Sequence, residues 1–273
     1  MSTAAPRDVA TGTDEILCRV EDRVAVVTLN RPEARNALTL EMKRALAKLV
    51  PELGADTSVG CVLLTGAGPA FCAGGDTKRM ARDGKPASPE ERKRQLRWEH
   101  GIPAAIHRLE KPVVAALPGA AAGAGFSLAL ACDLRIAAES AFVTTSYVRL
   151  WLSGDYGGSW FLTRLVGPAR AREIFFLGER IDAATCASLG IVNRVVPDAE
   201  LGKEALDWAR RIAAGPPIAL RYMKETLNRA LTEGLDSVLD VEADRMVQSA
   251  TTDDYLEAVE AHQSKRPPTF RGS

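Results

Sequence analysis

The sequence has no long apolar run, no net charge and no paired cysteine motif, and each absence excludes a class of protein. No stretch approaches the ~20 consecutive apolar residues of a membrane-spanning helix, so no membrane partner is expected. Lysine plus arginine total 35 and aspartate plus glutamate total 35. That balance provides no global field to attract nucleic acid or an anionic surface, and any anionic ligand must be held locally. The five cysteines (Cys18, Cys61, Cys72, Cys132 and Cys186) are odd in number and scattered, with no CxxC pair and no cysteine/histidine cluster. This argues against a disulfide framework and a zinc site, and it fits a reducing compartment. Met1 to Thr13 is polar, without the apolar core of a signal segment, and is expected to be a disordered lead. A cytoplasmic location follows as the expectation.

What is present is a patterned α/β chain. Two β-branched runs, Ile16–Val20 and Val24–Leu29, flank a polar turn and predict a β-hairpin. Thr39 is a helix N-cap candidate, and Leu40, Ala45, Leu46, Leu49 and Val50 recur at helical spacing until Pro51. Gly60–Thr65 and Pro112–Leu117 are continuous apolar runs, as parallel strands covered on both faces show. Asp133–Ala138, Ala141–Thr145 and Val192–Val196 read as further strands. Lys78 to Arg97 is crowded with charge and carries Pro86 and Pro89, so it reads as a mobile, solvated segment with the character of a lid. From Pro168 onward the pattern is mostly helical: Ala169–Leu177, Ala183–Leu189, Leu201–Ala214, Ala219–Thr232 and Leu235–Val247. This predicts a core of repeated β/α units over 14–200 and a helical section over 201–273.

Two glycine-rich segments follow buried strands. In Gly66-Ala-Gly-Pro-Ala-Phe-Cys-Ala-Gly-Gly-Asp76 the glycines permit a sharp turn with outward-pointing N–H groups. Pro118-Gly-Ala-Ala-Ala-Gly-Ala-Gly-Phe-Ser127 leads into a helix, whose N-terminus adds partial positive charge. Either loop alone is equally well a tight strand-to-helix turn with no ligand.

Their combination is more specific. Asn30-Arg-Pro-Glu-Ala-Arg-Asn-Ala-Leu38, Phe71–Asp76, Ala121–Ser127, Ala131-Cys-Asp-Leu-Arg-Ile-Ala137 and Leu189-Gly-Ile-Val-Asn-Arg-Val-Val-Pro197 occur in this order. With them the chain resembles the enoyl-CoA hydratase/isomerase family from about residue 15 to Phe270. The resemblance implies the crotonase fold, a ββα spiral core with a C-terminal helical trimerisation section. It also implies an acyl-CoA substrate, a homotrimer or homohexamer, and no metal or redox cofactor, coenzyme A arriving as part of the substrate. The family's two backbone donors to the thioester oxygen match Ala73 and Ala124. The paired glutamates of its hydratases match Ser127 and Tyr147, neither of which replaces a carboxylate near neutral pH.

Asp155, in Leu152-Ser-Gly-Asp-Tyr-Gly-Gly-Ser-Trp160, matches the working aspartate of family members that move double bonds or open ring epoxides. This makes Asp155 the preferred acid/base of an acyl-CoA isomerase; its bland alternative is a turn residue satisfying its own backbone. Two rival functions are an enoyl-CoA hydratase and an acyl-CoA-binding scaffold without chemistry. Ser127 is either a helix-entry residue bonded locally or a polar contact to the acyl group. Tyr147 either donates a hydrogen bond into the pocket or packs as a buried aromatic. Trp151 either narrows the acyl pocket or packs in the core. Arg31, Arg35, Lys265 and Arg266 are the candidate cations for coenzyme A phosphates. Asp76 reads as a helix N-cap or loop anchor, and Asp133 and Arg135 as a structural pair. His100, His107 and His262 read as surface or satisfied residues.

Overall fold

The computed structural model describes residues 5–77 and 88–273. The chain opens with β1 (Arg7–Asp8) antiparallel to β2 (Ile16–Glu21), and Val9 N–H donates to the Cys18 carbonyl at 2.8 Å. Residues 5–13 are therefore tied to a sheet edge rather than forming part of a disordered lead. The predicted hairpin is present: β2 pairs with β3 (Val24–Leu29) in a register running from Ile16↔Leu29 to Glu21↔Val24. Asp22 and Arg23 turn between them with φ of 47° and 64°, the two left-handed positions of a turn that matches strand twist.

From β3 onward the sheet is parallel. It continues through β4 (Cys61–Gly66), then β6 (Val113–Leu117), β8 (Leu134–Ala138) and β11 (Arg194–Val196). Every residue of β6 and nearly every residue of β4 is buried, the reason both runs are continuously apolar. A second sheet has the order β10 (Ile181–Asp182), β9 (Phe142–Thr144), β7 (Ala120–Ala122) and β5 (Ala70–Cys72). It holds both glycine-rich segments.

Helix α1 (Leu40–Ala55) starts where expected, Met42 N–H donating to the Thr39 hydroxyl at 3.0 Å. It does not stop at Pro51. A mid-helix proline costs roughly 3 kcal/mol, but Leu49, Val50 and Leu53 around it are all buried, each contributing ~1.5–3 kcal/mol. Burial wins, and the helix runs on to Ala55. Residues 89–97, expected to be a mobile segment, lie in α2 (Pro89–Glu99), capped by the Ser88 hydroxyl, which accepts from Glu91 N–H at 3.3 Å. Residues 78–87, the remainder of the expected lid, lie outside the described residues.

Next come α3 (Gly101–Arg108), α4 (Ala124–Leu130) and α5 (Gly158–Leu177), the last broken at Gly167, with φ 76° and ψ 165°. Its first half, ahead of Pro168, was not evident from the helical pattern. After α6 (Ala183–Ser188), α7 (Leu201–Ala213) buries Leu201, Ala205, Ala209 and Ala213, a stripe at four-residue spacing. These small side chains let α7 lie close across β3, β4, β6 and β8, so it is packed on the sheet although it lies beyond residue 200.

The remaining helices are α8 (Pro217–Ala230), α9 (Leu235–Ala250) and α10 (Asp253–Gln263). Lys224 anchors α8, its buried ammonium donating to Asp133 Oδ2 at 2.7 Å and to the Lys111 carbonyl at 3.0 Å. The Asp133 carboxylate therefore pairs with Lys224, while the Arg135 side chain reaches only the Asp133 backbone carbonyl, at 3.5 Å. The shorter bonds of the Arg135 guanidinium go to the Ile191 and Cys132 carbonyls, at 2.6 Å each. No helix among the described residues is long and apolar enough to cross a membrane.

All five thiols are free and buried. Burial pushes Cys18 up to about 11 and Cys61, Cys72, Cys132 and Cys186 up to about 12. The thiolate is the reactive form, so none of the five should react with a disulfide reagent at pH 8 in the native protein. All five should react in guanidinium chloride, as a colorimetric thiol count will check.

Candidate active site

The two glycine-rich segments meet because the strands that launch them are neighbours: β5 and β7 run parallel, with Ala70 opposite Ala120 and Cys72 opposite Ala121. Just beyond, the contact tightens. A Cβ on Gly74, where φ is +90°, would stand 2.6 Å from the Ala122 carbonyl and 3.3 Å from the Ala124 nitrogen. A Cβ on Gly125 would stand 2.3 Å from the Cys72 carbonyl. Glycine is required at both places because backbone from the other loop fills the volume a side chain would take. Asn36 fastens the first segment from below. Its buried amide donates to the Ala67 and Ala70 carbonyls at 2.9 and 2.8 Å, while its Oδ1 accepts from Arg31 N–H at 2.8 Å.

The two expected donors differ in state. Ala124 is the first residue of α4, after Gly123 at φ 51°, and its N–H has no hydrogen-bond partner among the described residues. It sits at a helix N-terminus, where the dipole favours negative charge. The Ala73 N–H instead donates to the Arg35 carbonyl at 2.9 Å. Residues 35 and 36 hold that carbonyl in place through left-handed φ values of 50° and 56°. One donor is open and the other is occupied by backbone.

Ala73, Ala124, Tyr147 and Asp155 line one cavity of about 80 Å³, together with Lys43, Glu99 and Tyr156. Asp155 Oδ1 accepts from the Tyr156 N–H at 2.9 Å, so the turn chemistry expected of an aspartate among glycines is realised. The same oxygen also touches His100 Nε2. Oδ2 has no partner among the described residues. His100 was expected to be a bland helix residue. It is the group that the tertiary structure adds to the site, and nothing in its local sequence marks it.

Ser127 and Tyr147, the two positions matched by resemblance to the hydratase glutamates, are buried and bonded to each other, Oγ to phenolic oxygen at 3.0 Å. The Tyr147 hydroxyl also donates to the Asp155 carbonyl at 3.2 Å. Burial pushes the Tyr147 phenol well above its usual range, so at neutral pH it is a protonated donor bracing the Asp155 loop. Tyr147 is thus a buried aromatic whose hydroxyl is bonded to protein groups rather than offered to the pocket, and Ser127 is a buried partner to it that does not line the cavity.

Glu99 is 1% exposed and holds Lys43 at 2.7 Å and Arg92 at 3.5 Å on the cavity wall. It lies just beyond the charged stretch Lys78 to Arg97 read as solvated, and only folding shows it to be buried.

Other expected residues lie elsewhere. Trp151 neither narrows the cavity nor packs in the core: it is 97% exposed. Left-handed φ of 57° at the end of the short 3-10 turn Val148–Leu150 directs it outward. Arg31 is held by carboxylates, with Glu15 at 3.3 Å and Asp76 at 3.5 Å, and Asp76 is accordingly a loop anchor. Arg266 is held at the far end of the chain by Glu257 and Glu260. Arg35 and Lys265 are exposed and have no ion pair among the described residues.

Paired glycine loops, an open amide at a helix N-terminus and a carboxylate on one cavity wall define a backbone-donor site for a polarised carbonyl. The chain belongs to the enoyl-CoA hydratase/isomerase family, whose sequence profile matches residues 19–273. It is 38% identical to the 1,2-epoxyphenylacetyl-CoA isomerase of Escherichia coli strain K12, over 94% of this chain and 98% of that protein. It is 33% identical to the short-chain-enoyl-CoA hydratase of Clostridium acetobutylicum, over 93% and 96% of the two chains. Among solved structures, an enoyl-CoA hydratase from Polaromonas sp. JS666 superposes with a TM-score of 0.89 at 38% identity, covering 93% of this chain and 99% of that one. The crotonase fold expected from the motifs is the fold of this protein.

If the close approach of the loops builds the site, Gly125→Ala should destabilise the protein by about 1–3 kcal/mol through overpacking. The urea midpoint should fall with an unchanged slope. Gly202→Ala, where a Cβ meets open space in α7, should leave the midpoint unchanged or raise it.

Proposed function

We propose that the protein is an acyl-CoA isomerase in which Asp155 moves a proton between two carbons of the acyl group while backbone amides hold the thioester oxygen. The observation that carries this reading is the placement of Asp155 on the same cavity wall as Ala73 and Ala124, with hydroxyls rather than carboxylates at positions 127 and 147. Oδ2 of Asp155 takes a proton from a carbon conjugated with the thioester. The electron pair shifts onto the carbonyl oxygen, and the carboxyl returns the proton to a second carbon as the carbonyl reforms. The charge that develops on oxygen is met first by the open Ala124 N–H. Ala73 contributes when the oxygen shares or replaces the Arg35 carbonyl as acceptor. Such preorganised donors are worth roughly 2.7–4 kcal/mol each. Coenzyme A is held as part of the substrate, Arg35 and Lys265 being its candidate phosphate contacts.

Hydration is the second reading, and the hydratase names of several relatives favour it. In that reaction Asp155 activates water. The third reading, a binding scaffold, predicts acyl-CoA affinity without proton exchange. An assembly of three or six copies accompanies the proposal. Leu227, Leu235, Met246 and Val247, on α8 and α9, are 65–73% exposed, an apolar surface that a neighbouring subunit would cover.

The test is deuterium uptake into the acyl chain of but-2-enoyl-, hex-3-enoyl- or phenylacetyl-CoA in deuterated buffer, read by mass spectrometry. The native enzyme should label at least one of them. Asp155→Asn should lower the labelling rate by about 10²–10⁴-fold, the usual contribution of a positioned acid/base. Ala124→Pro, which removes the N–H at a helix position where proline is tolerated, should cost about 10²–10³-fold. Full activity in Asp155→Asn refutes the assignment, and acyl-CoA binding with no labelling of any thioester supports the scaffold.

A further inference from the structure

His100 lies where α2 passes into α3, 55 residues from the aspartate it touches. Its Nε2 meets Asp155 Oδ1, and its ring stands edge-on to Tyr156 with centroids 6.1 Å apart. Two nearby lone pairs would repel, so Nε2 carries the proton and donates to the carboxylate. Oδ1 then receives two N–H groups, from His100 and from the Tyr156 backbone at 2.9 Å. These two donors fix the plane of the carboxylate and leave Oδ2 as the one oxygen free to exchange a proton. Tyr156 borders both the acyl cavity and a wider cleft of about 930 Å³. His100 borders the wide cleft alone, so it reaches Asp155 from outside the substrate space.

We infer that His100 is a positioning residue: it clamps Oδ1 of Asp155 so that Oδ2 is held against the reacting carbon. The inference rests on the proposed role of Asp155. A misplacement of about 1 Å at a reacting group can cost about 10²-fold in rate, and a carboxylate held by only one backbone N–H is free to rotate.

The measurement is deuterium exchange into whichever of the three named thioesters labels fastest. His100→Ala should lower kcat by about 10–100-fold with KM changed less than about two-fold, since the imidazole does not line the acyl cavity. His100→Gln, whose amide can donate to the same oxygen, should recover most of the loss; a merely structural role would not predict that rescue. In an Asp155→Asn background His100→Ala should have no further effect. The side chain is 44% exposed, so both variants should fold, and the thermal midpoint will show it. Unchanged kcat in His100→Ala, or an equal loss in Ala and Gln variants, overturns the inference. So does a loss in His100→Ala that multiplies with that of Asp155→Asn. If Asp155→Asn is inactive while His100→Ala is intact, only this inference falls; if Asp155→Asn is fully active, the proposed function falls with it.

Discussion

The parallel pairing of β5 with β7 governs the site, because two three-residue strands bring together backbone segments that are some fifty residues apart in the chain. Beyond these strands the two loops pack backbone against backbone. Gly74 and Gly125 are small because the opposing carbonyls of Ala122 and Cys72 fill the space. A site made of main-chain donors is insensitive to the identity of the side chains that carry them. It depends on how closely two backbones approach, and glycine and alanine set that distance.

The same economy explains the segment around Asn36. Its side chain has three polar contacts to main chain and is fully buried, so loss of any partner would leave a buried amide unsatisfied, at a cost of ~1–3 kcal/mol. The segment is held firmly, and it also sets the Arg35 carbonyl against the Ala73 N–H. The loop architecture that shapes the cavity thus determines which of the two amides is open.

On that scaffold side chains complete the cavity. Hydroxyls at 127 and 147 satisfy each other and brace the loop of Asp155. One carboxylate of the cavity is that of Asp155, whose two neighbours, His100 and the Tyr156 backbone, come from different parts of the fold. The charged cluster of Glu99, Lys43 and Arg92 forms another part of the wall.

Strands β2, β3, β4 and β6 were legible in the sequence, because alternation and unbroken apolar runs are local records of which faces are covered. So were α1 from its cap, the helical end of the chain, both glycine loops and Asp155 among its glycines. Local pattern failed where distant packing outweighed it: α1 continues past Pro51 because Leu53 is buried, and residues 89–99 form a helix in which Glu99 is buried despite the surrounding charge. Trp151, an apolar side chain expected inside, is turned outward by its backbone. What the sequence alone determined was the set of elements and the chemical types available to the site. Tertiary structure decided which of them meet, pairing His100 with Asp155, Lys224 with Asp133, and the Arg35 carbonyl with the Ala73 amide. The physical reason is that propensity and periodicity act over a few residues, whereas a hydrogen bond across fifty residues exists only after the sheets have paired.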